Sequence, residues 1–385
     1  MITQSLAPPQ QVRPLATVAL AAYFLVTLLL DRFSGWHVSS VHPLVAGGFL
    51  AFVSWRHRPR EAGRFFLLLL VLIAWMLLRD VGSGGDWRAG ERTLKAGFLA
   101  LGLIACSHLS FETWCASLRW ATVIAVVCVI VYLGPEQVAT GLGSPLAMAA
   151  NGFASEMNRN ALAVPLGLLA CWVFVAARAI RPAWLWGLLA ALMVMLMVAN
   201  GSRNAILSMI VATLPAAVLL SPRSAAVLGA ATAAAALLAF WMWPSFWIHG
   251  GSLLSHRDVI WEIVLRHLGA HAWTGTGSSY FAQMVAPELP QKFAFAHNVY
   301  LDFLLAYGIV GGLLLLAAGV ALRSLMQRGN IDARSVWLYA SGGYLMTFGV
   351  FDREHLDPLM LAGMLMLPGI AIAVLAAGRS ERVSS

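Results

Sequence analysis

Long apolar runs recur along nearly the whole chain, and they restrict the fold more than any other feature of the sequence. Of the 385 residues, 60% are hydrophobic and only 11% are charged. That balance leaves too little polar surface for a protein whose main solvent is water. Many of the runs approach the roughly 20 residues that an α-helix needs to cross a bilayer. The sequence therefore predicts an integral membrane protein.

Counting these runs predicts an all-α protein with about twelve transmembrane helices. Helices one to nine fall within residues 1–243, and helices ten to twelve fall within residues 298–385, which end in a cytoplasmic tail. One large polar interval, residues 244–297, separates the two groups and is expected to contain short helices. The predicted spans are 15–30, 38–54, 65–78, 93–107, 117–133, 160–177, 183–199, 204–220, 225–243, 298–322, 335–350 and 358–378.

The placement of the arginines orients the chain in the membrane. If the N-terminus lies inside, most arginines fall in inside segments, and few acidic residues accompany them. Because cytoplasmic loops carry the excess of arginine and lysine, both termini are predicted to be cytoplasmic and the interval 244–297 to face outward. The same placement explains the formal charge of +8. No basic run is interleaved with polar sequence, so we expect no nucleic-acid partner.

The interval 244–297 is expected to carry the chemistry, because a chain with otherwise short loops devotes about fifty residues to it. Within it, Ser255-His256-Arg257-Asp258 has the pattern of a capping box that opens a short helix. One face of that helix is apolar, so we expect it to lie along the membrane surface. The apolar face carries Ile260, Trp261, Val264 and Leu268.

Three arginines, Arg159, Arg203 and Arg257, stand at the outer ends of different predicted helices. A guanidinium group holds phosphate oxygens through two parallel hydrogen bonds and keeps its charge at any relevant pH. Each arginine could instead pair with a nearby acid or with a lipid headgroup. Their concentration on one side of the membrane favours an anionic substrate. The charged stretch 79–92, which includes Arg88, lies on the same side and could converge on the long loop.

His297 stands where the polar loop meets an apolar span. A neutral imidazole at that position can accept a proton from a sugar hydroxyl. The alternative is an interfacial histidine that is hydrogen-bonded to the backbone. Its neighbours in sequence, Asn298 and Asp302, are also polar.

Two other loop motifs have weaker functional interpretations. His267 and His271 are four residues apart, a spacing that can hold a metal ion on a helix. Because the glutamate of a zincin motif is absent and Gly269 weakens the helix, we expect no metal. Gly275-Thr276-Gly277-Ser278 could cradle a phosphate with its amides. It lacks the lysine of a P-loop and no strand precedes it, so a plain turn is favoured.

Three motifs resemble the O-antigen ligase family of bacterial lipopolysaccharide assembly. They are His297-Asn298-Val299-Tyr300-Leu301 followed by Gly308, Trp273-Thr274-Gly275-Thr276-Gly277, and Asn200-Gly201-Ser202-Arg203. The resemblance implies a C-type glycosyltransferase that inverts configuration, uses no metal or other cofactor and works on the periplasmic face of the inner membrane. The implied donor is O-antigen polysaccharide on undecaprenyl diphosphate. The implied acceptor is a sugar hydroxyl of lipid A-core.

The resemblance also suggests roles for individual residues. Negative charge builds on the departing diphosphate in such a transfer, so a fixed cation near that oxygen lowers the barrier. Arg203 is the predicted catalytic cation and His297 the predicted base. The predicted substrate-binding residues are Arg88, Arg159, Arg257, Arg266, Asn298 and Tyr300. Membrane lipids are further expected partners, and apolar residues beside the loop would accommodate the prenyl chain.

Other functions fit the same sequence. The spacing from Arg266 to Gly277 resembles one described for O-antigen polymerases, which use the same donor, and a protein O-oligosaccharyltransferase is a further enzyme alternative. A transporter of lipid-linked sugars would suit the helix count and the charge equally. Transporters, however, tend to carry charged or broken helices at the bilayer centre. Here the charge collects in the outer loops, which favours the transferase.

Overall fold

The computed structural model of the chain describes residues 63–82, 93, 120, 123–124, 127, 166–167, 170–171, 202–220, 257–289, 295–326 and 333–351. Within these ranges every regular element is helical. The predicted all-α class is therefore confirmed for the described part of the chain. The remaining predicted spans and the count of twelve helices lie largely outside the described residues, and the domain boundaries remain predictions.

Five α-helices are described, and four of them coincide with predicted spans. They are α1 (Gly63–Gly82), α2 (Arg203–Leu220), α3 (Arg257–His271), α4 (Val299–Met326) and α5 (Ala333–Phe351). A π-helical turn at Phe281–Val285 and a 3₁₀ turn at Ala286–Glu288 follow α3, so the long interval does contain short helices. The helix α1 runs past its predicted end at residue 78 because Arg79 and Asp80 find partners inside the protein.

The helix α4 contains Val299–Ala321, a stretch of 23 residues that is long and apolar enough to cross a bilayer. In the described ranges it is the one helix that meets both criteria. Leu313, Leu316 and Val320 on this helix are exposed, as are Leu67 and Leu78 on α1. Contact with lipid satisfies such apolar surface, whereas exposure to water would not. These helices are therefore suited to a membrane environment.

The helices α1 and α4 pack through a small apolar cluster. Leu72 and Met76 of α1 are buried against Phe303, Ala306 and Tyr307 of α4. The indole Nε1 of Trp75 also donates to the Tyr307 carbonyl at 2.9 Å. This contact places the C-terminal end of α1 beside the first half of α4.

The helices α2 and α5 run antiparallel to each other at close range. Asn204, at the start of α2, donates through Nδ2 to the Phe348 carbonyl at 3.1 Å. Further along, a Cβ placed on Gly343 would lie 3.7 Å from the Cα of Ala212. Small residues allow the backbones of membrane helices to approach in this way. The start of α2 therefore lies at the C-terminal end of α5.

The apolar face of α3 packs inside the protein, while the position of this helix along the membrane surface remains a prediction. Trp261 and Leu268 pack against a buried cluster that also includes residues from the turns after α3 and from α4. The loop buries its apolar surface against itself and against α4, which makes contact with lipid unnecessary for that face. The cluster consists of Ile260, Ile263, Val264, Phe281, Val285, Leu289, Ala296 and Leu305.

Candidate functional site

The helix α4 is broken at Gly308, and a loop segment, residues 272–277, is inserted at the break. Gly308 has φ 66° and ψ −173°, which is not helical. The amides of Thr276 and Gly277 donate to the carbonyls of Leu305 and Ala306 at 2.9 and 2.8 Å. In a continuous helix those carbonyls would accept from Ile309 and Val310. The inserted segment therefore replaces the hydrogen bonds that α4 loses.

The backbone amides that follow the break also find hydrogen-bond partners in the segment 272–277. The amides of Ile309 and Val310 donate to the carbonyls of Ala272 and Trp273 at 2.8 and 3.2 Å. Unsatisfied backbone groups inside a membrane protein cost several kcal/mol each, so a broken helix needs such partners. The break and the loop segment are thus one structural unit.

Gly275 and Gly308 allow the two backbones to approach. Both have positive φ, at 71° and 66°. A Cβ on Gly275 would collide with the carbonyl of Ala306, and a Cβ on Gly308 would collide with the carbonyl of Trp273. The amides of this glycine motif are used within the protein, so the phosphate-cradle interpretation was wrong and the turn interpretation was correct.

Arg79 and Asp80, at the end of α1, hold the inserted segment from the other side. Arg79 donates through Nη2 to the Gly275 carbonyl at 2.6 Å. Asp80 accepts from the Ser278 amide at 2.9 Å and from the Thr93 hydroxyl at 2.7 Å. The predicted convergence of the stretch 79–92 on the loop is confirmed for these two residues, while Arg88 lies outside the described residues.

His297 adopts a left-handed backbone conformation with φ 51°, and it is the one residue other than glycine with positive φ in the described ranges. Its preceding neighbour, Ala296, is fully buried and is bonded on both sides. The Ala296 amide donates to Oδ1 of Asp302 at 3.1 Å, and its carbonyl accepts from Nε1 of Trp261 at 3.0 Å. The ring centroids of Phe295 and His297 are 4.5 Å apart. The surroundings therefore enforce the unusual backbone of His297.

Asn298 caps the N-terminus of α4. Its Oδ1 accepts from the amides of Tyr300 and Leu301 at 3.0 and 3.1 Å. We expect Asn298→Ala to destabilise the protein by about 1 kcal/mol, because the two amides lose their acceptor. Thermal unfolding in detergent would measure this loss. Asn298→Ser, which keeps a capping oxygen, should unfold close to the parent; a loss equal to that of alanine would contradict a capping role.

Arg203 and His297 lie at the same end of the helical bundle. The Tyr300 hydroxyl donates to the Met346 carbonyl at 2.9 Å, while Asn204 donates to the Phe348 carbonyl. Residues 346 and 348 are about 3 Å apart along a helix axis. The N-termini of α2 and α4 therefore begin at nearly the same level beside α5.

Arg203 is the first residue of α2 and follows a capping serine. The Ser202 side chain is buried, and its Oγ accepts from the Ala205 amide at 3.4 Å. Arg203 itself is half-buried. A helix N-terminus carries partial positive charge, so the arginine and the helix favour an anion at the same place.

Arg257 and Arg266 are both on α3 but have different surroundings. Arg257 is the first residue of α3 and lies one helical turn before Trp261, whose indole bonds to Ala296 beside His297. Arg266 is largely exposed and pairs with Glu262 and Glu288 at 3.9 and 3.8 Å. Of the two predicted substrate contacts, Arg266 is thus paired with carboxylates, and Arg257 stands at the start of α3. Arg159 lies outside the described residues.

The histidine pair on α3 packs around Tyr280. Both rings, of His267 and His271, make edge contacts with the Tyr280 ring at centroid distances of 5.7 and 5.6 Å. His267 is also 2.7 Å from a carboxylate oxygen of Glu288 through Nε2 and 3.2 Å from the Tyr280 hydroxyl through Nδ1. These contacts fasten α3 to the turns that follow it.

Comparisons with known proteins agree with the motifs at this end of the bundle. Residues 188–316 match the family model described as O-antigen ligase. An O-antigen ligase of Pseudomonas aeruginosa is 27% identical over 282 residues, which cover 68% of this chain and 64% of that protein. The chain is therefore similar to the O-antigen ligase family over residues 188–316 and to that relative over about two thirds of its own length. The chain spans less than two thirds of that relative's length.

The part that matches the O-antigen ligase family includes α2, α3, the inserted segment and the break in α4. Sequence reasoning assigned no individual contact to the residues that support this part, namely Asp80, Trp75, Trp261 and Tyr307. Asp80 and Trp75 lie outside the matched range. One signal was available for Asp80, because an acidic residue directly after an apolar run needs partners if the helix continues. Trp261 was expected only to contribute apolar surface.

Proposed function

We propose that the chain is a membrane-bound glycosyltransferase of lipopolysaccharide biosynthesis. It ligates O-antigen polysaccharide from undecaprenyl diphosphate onto a sugar hydroxyl of lipid A-core. The observation that carries the proposal is the enforced left-handed backbone of His297 at the end of the bundle where Arg203 begins α2. Backbone strain of this kind persists only where the surroundings impose it, and it clusters at active sites. The similarity to the O-antigen ligase family supports the choice of reaction.

The proposed reaction is an in-line displacement at the anomeric carbon of the donor sugar. The acceptor oxygen attacks this carbon, and its proton passes to the neutral imidazole of His297. The bond between the anomeric carbon and the diphosphate oxygen breaks, and its electron pair leaves with the diphosphate. Because attack and departure occur on opposite faces, the product has inverted configuration.

The arginines stabilise the departing diphosphate. Arg203 has the main role, supported by its position at the positive end of α2. Arg257 contributes from the start of α3, which the Trp261 bond holds beside Ala296. Arg88, Arg159 and Arg266 are further proposed contacts to the donor, and Asn298 and Tyr300 are proposed contacts to the sugars. Fixed cations of this kind serve the reaction without a metal ion or a nucleotide.

The site is proposed to face the periplasm from the bacterial inner membrane. The excess of arginine in the predicted inside segments supports this orientation and two cytoplasmic termini. Nucleotide sugars and ATP are not available on that side. The energy of the new bond therefore arrives with the lipid diphosphate of the donor.

A reconstituted transfer assay tests the proposal. Purified chain in detergent receives undecaprenyl-diphosphate glycan and lipid A-core, and covalent product is followed by mass spectrometry. A ligase forms product only when lipid A-core is present. A polymerase would lengthen the lipid-linked glycan without lipid A-core, and a transporter would form no product. Either result would overturn the proposed reaction.

Arg203→Gln is expected to slow this transfer about a hundredfold, as when one donor to a developing anion is removed. Arg203→Lys should lose less, because it keeps the charge but not the two-pronged geometry. Initial rates at saturating donor measure both effects. Arg64→Gln is the matched control, since Arg64 is exposed at the start of α1. Equal rates for Arg203→Gln and this control would exclude Arg203 from the reaction.

A further inference from the structure

The half-helix 299–307, which begins two residues after His297, is held by contacts with other segments and not by helical hydrogen bonds to the rest of α4. The hydrogen bonds that would cross Gly308 are replaced by bonds to the inserted segment 272–277. A helix that is interrupted in this way can change direction at the break. Whatever fixes the C-terminal end of the half-helix therefore also fixes the direction in which His297 is presented.

Asp80 contacts the segments that meet at the C-terminal end of the half-helix 299–307. It is 1% exposed. Its Oδ1 accepts from the Ser278 amide at 2.9 Å, beside the inserted segment. Its Oδ2 accepts from the Thr93 hydroxyl at 2.7 Å and from the hydroxyl of Tyr307, the last residue of the half-helix, at 3.3 Å. One carboxylate thus links α1, residue 93, the loop and the half-helix.

Arg79 reinforces the same junction. Its Nη2 donates to the Gly275 carbonyl at 2.6 Å, inside the inserted segment. The Trp75 indole, one turn earlier on α1, donates to the Tyr307 carbonyl at 2.9 Å. Both contacts, like those of Asp80, come from the C-terminal end of α1. They fasten both the inserted segment and the half-helix to a helix outside the family-matched range.

We propose that Asp80 is a positioning residue for the imidazole of His297. The inference rests on the proposed function, since it assigns His297 as the base. A buried carboxylate is costly unless donors surround it, and here three donors from three segments do so. Removing it leaves the Ser278 amide and two hydroxyls without their shared acceptor, so the half-helix loses its fixed direction. A base displaced by about 1 Å can cost roughly a hundredfold in rate.

The kinetic test compares two replacements of Asp80. Asp80→Asn keeps the acceptor for Ser278, and its amide nitrogen can donate to hydroxyls that reverse their roles, so it should retain transfer within about fivefold. Asp80→Ala should lower kcat about a hundredfold and leave the KM for the donor unchanged. Val81→Ala, an exposed neighbour on α1, is the control and should match the parent. Equal losses in the two Asp80 variants would overturn a positioning role.

Two further measurements separate positioning from general loss of structure. In Asp80→Ala, hydrogen exchange should accelerate in residues 296–307 and stay unchanged in residues 310–321. If Asp80→Ala fails to fold, Thr93→Val removes one of the three donors and should show the same local pattern with a smaller loss of kcat. Unchanged exchange in residues 296–307 in both variants would overturn the proposal.

A double variant connects Asp80 to His297. If Asp80 acts through the imidazole, adding Asp80→Ala to His297→Asn should not reduce the residual transfer any further. A further large loss would overturn the assignment. The exchange measurement does not depend on activity, so accelerated exchange in residues 296–307 with normal transfer by His297→Asn would count against His297 as the base and not against the Asp80 junction.

Discussion

His297→Asn is expected to reduce glycan transfer roughly a thousandfold, within the range found when a general base is removed. Asparagine tolerates the left-handed backbone better than most residues. The bonds that fix Ala296 and Asn298 should therefore remain, and the imidazole is the group that is lost. Initial rates with undecaprenyl-diphosphate glycan and lipid A-core measure the effect, and thermal unfolding shows that the fold is kept.

Two companion variants sharpen this result. His271→Asn removes an exposed imidazole from the same loop and should transfer glycan at nearly the parent rate. His297→Gly also accepts positive φ, and it leaves space into which free imidazole can diffuse. Added imidazole should restore part of the activity of His297→Gly and none of that of His297→Asn. Transfer by His297→Asn within tenfold of the parent would remove His297 from the mechanism.

Gly308→Ala should destabilise the protein by about 4 kcal/mol, which combines backbone strain with forced overlap. The combination of φ 66° and ψ −173° is almost restricted to glycine. In addition, the new Cβ would overlap the Trp273 carbonyl and crowd the Gly275 amide. The inserted segment would have to leave the break, which would expose the carbonyls of Leu305 and Ala306. Thermal unfolding in detergent should show a large decrease in the midpoint.

Gly319 provides the matched control on the same helix. A Cβ on Gly319 meets nothing within 4 Å, so Gly319→Ala should be neutral or stabilising by up to about 1 kcal/mol. Equal unfolding midpoints for Gly308→Ala and Gly319→Ala would show that the break does not depend on glycine. The inserted segment would then have to be held by the side-chain contacts of Arg79 and Asp80 alone.

The positions of the α-helices in this fold can be predicted from local sequence. A span such as 298–322 is apolar over its whole length, and hydropathy alone locates α4 to within a few residues at each end. The break inside it is not visible in that way, because Gly308 is one of 34 glycines in the chain. The structural role of Gly308 depends on contact with residues 272–277, which lie about thirty positions earlier in the sequence. Local sequence patterns do not predict hydrogen bonds between backbone groups that lie so far apart in the sequence.

The candidate site was likewise only partly predictable from the sequence. His297 and Arg203 were proposed because each stands where a polar segment meets a predicted helix, and a helix start is a local signal. The individual contacts of Asp80 were not predicted, because its partners are an amide in a distant loop and two hydroxyls on other segments. The packing of the apolar face of α3 inside the protein was not predicted, for a related reason. Amphipathic spacing gives the direction of an apolar face but does not distinguish a lipid partner from a protein one.

The pairing of α2 with α5 affects how the protein is made. Asn204 and Phe348 are separated by 144 positions, so the turn that carries Arg203 is synthesised long before the helix against which it packs. Until α5 has been synthesised, the start of α2 lacks the helix against which it packs. The proposed site can therefore be assembled only after the chain has been synthesised beyond Phe348.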